Sequence, residues 1–466
     1  MQADLKTQVE AEEVLKEHQQ FFYSGATKSI DFRLDQLKKL KKIIQNQEEE
    51  IYEALQLDLG KNQFETYATE IGIVLTDIEE AIQQLPKWAK PEKVKTPAFM
   101  QPSKNYVVHE PYGTVLIIGP FNYPFQLLIE PLIGAIAAGN CAVLKTSEHT
   151  PATSRLVKSM VEKIFYKEYI RVIEGGVETN SSLIHAPFDY IFFTGSTAVG
   201  KIVMEAAAKN LTPVTLELGG KSPAVVHRDA NLKRAAERIV WGKLLNNGQT
   251  CIAPDYVLVH EDVKEKLVAL MKKRIEAFYG TDIQHNADYG RIVNDGHFDR
   301  LASLIHEDAD YIIYGGASER ADRYIEPTLL DVPSREGAKS MEDEIFGPIL
   351  PILTYQDLDV ELREFQQLPK PLAFYFFSED DGLQDDVMAR ASFGGGCVND
   401  TIMHVANPHL PFGGVGDSGM GNYHGVYSFE TFSHKKSISK RSSKVKVSFM
   451  YPPYKNKLGL IKKFLK

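Results

Sequence analysis

Residues 113–145 read GTVLIIGPFNYPFQLLIEPLIGAIAAGNCAVLK. The run from Gly113 to Ile118 is continuously apolar, too short for a helix and without the alternation of a half-exposed strand, so it reads as a strand buried on both faces. Pro124 suits the first turn of a helix that runs to about Ala138, where Gly139-Asn140 stops it. Residues 142–145 then form the next short strand. The rhythm continues through strands at 169–174 and 190–194, a helix over 197–209 ended by Asn210 and Pro213, and a strand at 214–218 closed by Gly219-Gly220. Buried strands separated by helices predict a mostly parallel, doubly wound sheet.

Outward from that core, residues 2–84 show helical spacing, broken at Ser24-Gly25 and at residues 59–62. Residues 87–102 carry Pro91, Pro97 and Pro102 and read as a connector, followed by an alternating strand at 105–109. A second αβ series runs from Asn231 to about Val398, with a strand at 255–260, and the glycine-rich residues 412–421 form a tight loop.

A chain of 466 residues, 43% hydrophobic and 25% charged, exceeds one ordinary domain and is expected to fold as an α/β protein of two lobes. Its formal net charge of −9 argues against nucleic acid as a partner, which needs clustered positive charge. Cys141, Cys251 and Cys397 are too widely spaced for a disulfide framework or a cysteine-rich zinc site, so a reducing, cytoplasmic location and no metal are expected. The amino terminus has no signal-peptide core, and the apolar stretch 127–144 contains Glu130, Pro131 and Asn140, which a bilayer span rarely carries.

Several residues carry candidate chemistry. Gly195-Ser-Thr-Ala-Val-Gly200-Lys201 nearly matches a P-loop, but Ile202 offers no hydroxyl for a metal ion. A strand, a glycine turn and a helix start remain, where Gly195, Ser196 and Gly200 could face a pyrophosphate; the alternative is a plain turn in which Gly195 supplies an unusual backbone angle. Lys145 and Glu148 follow an earlier strand, where a carboxylate can accept ribose hydroxyls, or Glu148 is a solvated charge of a helix's first turn. Cys251, in NNGQTCIAP, is by default a buried filler, yet Asn246, Asn247, Gln249 and Thr250 suit polar access to a thiolate. Glu217 ends an apolar strand, as a desolvated general base or a structural acceptor. Asn122, in GPFNYP, could polarise an oxyanion or shape a turn.

The motifs GPFNYPF, LKTSE, FTGSTAVGK, LELGGKSP, NNGQTCIAPDYVLV, EDEIFGPILPI and LPFGGVGDSGMGNYHG, in that order, resemble the NAD(P)-dependent aldehyde dehydrogenase superfamily, above all its class 3, or fatty-aldehyde, branch. The resemblance spans nearly the whole chain and implies Cys251 as nucleophile, Glu217 as general base, and Asn122 with the Cys251 N–H as oxyanion hole. It implies that Lys145 and Glu148 meet the adenosine ribose, residues 195–200 the pyrophosphate, and Glu344 and Phe346 the nicotinamide ribose. Phe121 stands where Trp is commoner and Thr146 where Pro is usual. NAD is the implied cofactor, with NADP also accepted in this branch.

The implied fold is a Rossmann-type cofactor lobe (1–97 and 114–218), a catalytic lobe (219–420), a small β oligomerisation arm (98–113 and 421–445) and a basic tail (446–466), assembled as a homodimer. The substrate is expected to be a medium- or long-chain aliphatic or an aromatic aldehyde. A CoA-acylating or phosphorylating relative, and a non-catalytic binding protein on the same scaffold, are the alternatives; Glu217 and the complete set of three residues weigh against them. After Glu430 the chain has eleven basic and no acidic residues. On a helix, KNKLGLIKKFLK (455–466) would set Leu458, Leu460, Ile461, Phe464 and Leu465 against four of its five lysines. Such a segment suits peripheral contact with the inner membrane surface, or docks on the protein.

Overall fold

The strand Thr114–Ile118 is buried at every position, as its unbroken apolar sequence requires. In the computed structural model, which describes residues 7–445 and 450–464, it pairs in parallel with Tyr190–Thr194 on one side and Cys141–Lys145 on the other. Ile170–Ile173 extends the sheet beyond Cys141–Lys145, and Val214–Glu217 extends it beyond Tyr190–Thr194. Gly419–Met420 adds an antiparallel sixth strand at the Val214–Glu217 edge. Strand order thus reverses between Thr114–Ile118 and Tyr190–Thr194, which opens a ligand crevice beyond their carboxyl ends.

The helix Gln126–Ala138 is buried all round. It lies between this sheet and the lead-in helices Ile30–Asn46 and Gly72–Trp88. It starts two residues after Pro124, because the Glu70 carboxylate accepts the N–H of Phe125 at 3.0 Å and of Gln126 at 3.2 Å and caps the helix from outside. At the far end Gly139 is left-handed, φ 95°, and a Cβ there would collide with the Arg33 guanidinium, which donates to the Ala137 carbonyl.

The second sheet has seven strands in the order Ile312–Tyr314, Thr328–Asp331, Ile349–Tyr355, Tyr256–His260, Pro223–Val226, Ala373–Phe377 and Gly395–Val398, parallel except for the first. The α/β architecture with two mostly parallel sheets and a small arm is therefore present. In the arm, Ser103–Pro111 pairs along its length with Ser433–Arg441. It also has a strand unforeseen in the sequence: Glu92–Lys93, inside the proline-containing connector, pairs with Tyr106 and Val107.

Near the carboxyl end the predicted twelve-residue helix is shorter, Leu458–Phe464, with the Gly459 that weakens it in its first turn. Lys446, Leu465 and Lys466 of the predicted tail lie outside the described residues. No helix among the described residues is long and apolar enough to cross a membrane.

Candidate active site

Cys251 sits in a loop whose shape is set by left-handed backbone. Asn246 (φ 51°), Asn247 (φ 55°) and Gly248 (φ 72°) occupy that region in succession, a conformation asparagine and glycine tolerate best. The polar side chains around the cysteine are buried and used for holding. Asn246 donates from Nδ2 to the Asn122 carbonyl at 2.8 Å and from its backbone N–H to Glu65 Oε1 at 2.8 Å. Gln249 donates to the carbonyls of Asn246 and Arg291 and accepts the Val293 N–H at 3.0 Å. Thr250 shares a 2.7 Å hydrogen bond with the Tyr123 hydroxyl, and the Ile252 carbonyl accepts from Tyr375. Those polar residues, taken in the sequence as access for a thiolate, are buttresses.

The same bonds set Asn122 against the loop that bears Cys251. Asn122 is 3% exposed, and its side-chain amide has no hydrogen-bond partner among the described residues, so it is a donor available to a ligand. Behind it, Lys61 and Glu70 form a fully buried ion pair at 2.6 Å, with the ammonium over the Tyr123 ring at 4.3 Å. This pair was missed in the sequence. Its trace was there: Glu70 falls on the helical stripe of Val74, Ile78, Ala81 and Leu85, all buried.

Glu217 is 2% exposed and neither carboxylate oxygen has a hydrogen-bond partner among the described residues. Burial alone drives its pKa well above the usual carboxyl range. Its backbone is fixed on both sides: its carbonyl accepts the Gly195 N–H at 3.0 Å, and it is paired with Gly419 across the edge strand. Burial also raises the Cys251 thiol, and the carboxylates of Glu344 and Glu217 push it further, while the N–H groups of Cys251 and Ile252 pull it back. The half-buried Glu344 carboxylate lies against Gly219, where a Cβ would come within 2.2 Å, and accepts the Gly220 N–H. Burial and Asp255 push Glu344 up to about 8.

Gly195, Ser196 and Gly200 lie at the switch point. Gly195 is not among the residues of positive φ; glycine is required there by space, since a Cβ would meet the Phe193 ring at 2.5 Å. Ser196 caps the helix Thr197–Ala208, and Gly200 lets that helix close on Leu218. Lys145 is buried at the end of its strand, pairs with Glu148 at 3.4 Å and donates to the Thr146 carbonyl. Phe346 stands at φ 51°, a strained value for a bulky residue, with its ring edge-on to Phe121 at 5.6 Å. Phe121 also packs against His297 at 4.7 Å, whose pKa burial lowers to about 4.

A dinucleotide suits this crevice. The Thr146 and Thr194 hydroxyls are buried at the strand ends without a hydrogen-bond partner, beside a capped helix start and a buried lysine. A cavity of about 300 Å³ is lined by Tyr67, Ile73, Asp77, Glu130, Val405 and His424 among others, and Glu130 in its wall feels the charge of Glu217. At its polar end His424, held at φ 84°, faces Glu130 at 3.0 Å.

The profile of the aldehyde dehydrogenase family matches residues 1–438. The chain is 56% identical to a 4,4'-diaponeurosporen-aldehyde dehydrogenase of Staphylococcus aureus over 96% of this chain and 97% of that protein. It is 44% identical to a dimeric, NADP-preferring aldehyde dehydrogenase of Rattus norvegicus over 92% and 94%. A substrate-bound structure of Staphylococcus aureus AldH superposes with a TM-score of 0.96 at 55% identity, covering 98% of this chain and 99% of that one. The chain belongs to the aldehyde dehydrogenase family and is an NAD(P)-dependent aldehyde dehydrogenase.

Proposed function

We propose that this enzyme oxidises medium- or long-chain aliphatic and aromatic aldehydes to carboxylic acids through a thioester on Cys251. What supports the reading is that Asn122 is bonded through its carbonyl to the loop of Cys251, and that Glu217, whose carboxylate is buried without a hydrogen-bond partner among the described residues, acts electrostatically on the Cys251 thiol.

The Cys251 thiol gives up its proton to solvent, and Sγ attacks the aldehyde carbon as the thiolate. The oxyanion so formed accepts hydrogen bonds from Asn122 Nδ2 and the Cys251 N–H, each such donor contributing roughly 3–4 kcal/mol to the barrier. A nicotinamide whose ribose is held by Glu344 and Phe346 would supply the hydride acceptor and a positive charge, and loss of hydride from the substrate carbon would leave a thioester on Cys251. Glu217 takes a proton from water, the hydroxide adds to the thioester carbon and the C–S bond breaks, the departing Cys251 thiolate takes the proton back from Glu217, and the acid leaves. A desolvated carboxylate is a stronger base than one in water, and its two free oxygens leave room for that water.

Lys145 and Glu148 hold the adenosine ribose, Gly195, Ser196 and Gly200 the pyrophosphate, and Glu344 and Phe346 the nicotinamide ribose. Glu148 is one turn-length from Lys145 and part-exposed, which suits the two ribose hydroxyls of NAD, with NADP as a second cofactor. The rat relative, NADP-preferring by its name, supports that second use. The side chains of Tyr67, Ile73, Val405 and Pro408 give the cavity an apolar wall suited to the chain of a lipid-like aldehyde, in keeping with the carotenoid aldehyde named for the bacterial relative. The arm joins two copies in a homodimer, as the rat relative's dimeric name supports, and the basic tail meets an anionic membrane surface.

A panel of aldehydes of rising chain length, assayed with NAD and NADP by absorbance of the reduced cofactor, tests the reading. Cys251→Ala should retain cofactor binding and lose oxidation by about three orders of magnitude or more. Full oxidation by that variant would end the proposal. Acyl-CoA formed in place of free acid would transfer the assignment to a CoA-acylating enzyme.

A further inference from the structure

The strap that carries Glu344 is pinned from both sides. Lys221 donates to the carbonyls of Ser340 and Asp343, each at 2.8 Å, and pairs with Asp255. Asp255 in turn accepts the Ile345 N–H at 2.9 Å, and Arg300 donates to the Ile345 carbonyl at 2.6 Å. Backbone on each side of Glu344 is therefore fixed, and its side chain is left to be placed and charged by its surroundings.

One charge in those surroundings has no partner. Lys243, in the last turn of the helix Leu232–Leu244, is 2% exposed, and its Nζ makes no hydrogen bond among the described residues. It faces Asp255 and Glu344 of opposite sign and Lys221 and Arg300 of its own. Asp255 is already committed to Lys221 and to the Ile345 N–H, so Glu344 is the carboxylate left to balance it. A buried ammonium without a counter-charge is strongly unfavourable, which gives the two groups a common stake.

We infer that Lys243 is a positioning residue whose ammonium favours the ionised form of Glu344, the form able to accept both hydroxyls of the nicotinamide ribose. The inference rests on the assignment of Glu344 to that ribose. An ionised carboxylate accepts at both oxygens, whereas a protonated one turns an oxygen into a donor. The surroundings agree: burial and Asp255 push Glu344 up to about 8 while Lys221 and Lys243 hold it down, and burial brings Lys243 itself down to about 8 against the pull of Asp255 and Glu344. Arg300 also faces Glu344, Asp255 and Asp343, and the Cys251 thiol faces Glu344.

The test is a fluorescence titration of NADH binding to the full-length protein from about pH 6 to about pH 9.5, a range that brackets ordinary lysine and carboxyl shifts. Wild-type affinity should rise with pH as Glu344 ionises. Lys243→Met, of similar length and without charge, should bind about tenfold more weakly at neutral pH, with the rise displaced upward by about one pH unit or more. Lys243→Arg should restore the wild-type curve, Lys243→Gln should repeat the Met result, and Glu344→Gln should bind weakly with no pH dependence. A folded Lys243→Met or Gln variant with the wild-type curve, or one weakened equally at every pH, would overturn the inference. Wild-type binding by Glu344→Gln would instead remove the ribose assignment, and the role of Lys243 with it.

Discussion

The fold buries Glu217, the proposed general base, and this has opposite effects on stability and on rate. Its pKa in the folded state is raised above that of the unfolded chain, so its contribution to stability is fully present below the ordinary carboxyl range and is lost as pH rises through the folded value. Glu217→Gln should therefore melt above wild type at about pH 9 and close to it at about pH 5, measured by calorimetry at both values. In stopped-flow assays the same variant should release one equivalent of reduced cofactor and then stall, because the thioester lacks its base. Steady wild-type turnover by the variant would remove Glu217 from that role. Cys251, Glu217 and Asn122 were visible in the sequence because each breaks its local pattern: a polar loop around a cysteine, a carboxylate ending an apolar strand, an amide at a strand tip. What their neighbours do was hidden. Asn246 and Gln249 look like solvent-facing polar residues in one dimension, and only the folded chain shows them bonded to Asn122, Arg291 and Val293.

At the scale of elements, the helix Gln126–Ala138 depends on a buried ion pair of the lead-in segment, Lys61 from the loop after Leu59 and Glu70 from the helical turn Tyr67–Ile71. Lys61→Met leaves the Glu70 carboxylate buried without its cation, at a cost of about 3–5 kcal/mol, whereas Lys61→Met with Glu70→Gln should lose less than the single variant. Denaturant melts of the single and double variants test the coupling, and additive losses would contradict it. The βα units were legible because buried strands and amphipathic helices impress their periods on the sequence. Two features were not. Glu92–Lys93 is too short and too polar to carry a strand period and exists because Tyr106 and Val107 offer it an edge. The need for glycine at Gly195 comes from the Phe193 ring, a packing constraint that reads the same in sequence as a turn constraint.

For the whole molecule, the arm leaves Ser433–Arg441 as an edge strand, largely exposed along its length, and such an edge invites a second strand. Removing residues 442–466 should leave the dimer intact, while removing 433–466 should yield a monomer, as sedimentation velocity would show. A monomeric full-length protein would remove the arm from that role. Tyr451, Tyr454 and Leu458 are exposed in the basic tail, so anionic vesicles should pull down the full chain but not one ending at Tyr454, and raised salt should weaken the capture. Equal capture of both forms would remove the tail from membrane contact.

The loop that bears Cys251 is stitched to both halves of the chain, to Glu65, Asn122 and Tyr123 before residue 218 and to Arg291, Val293 and Tyr375 after it. Neither half expressed alone can shape the nucleophile, since each lacks the other's anchors. A chain divided at the Gly219–Gly220 turn would give two silent fragments whose reunion regenerates turnover, so the enzyme contains the makings of a split reporter for proximity between any two proteins fused to its halves.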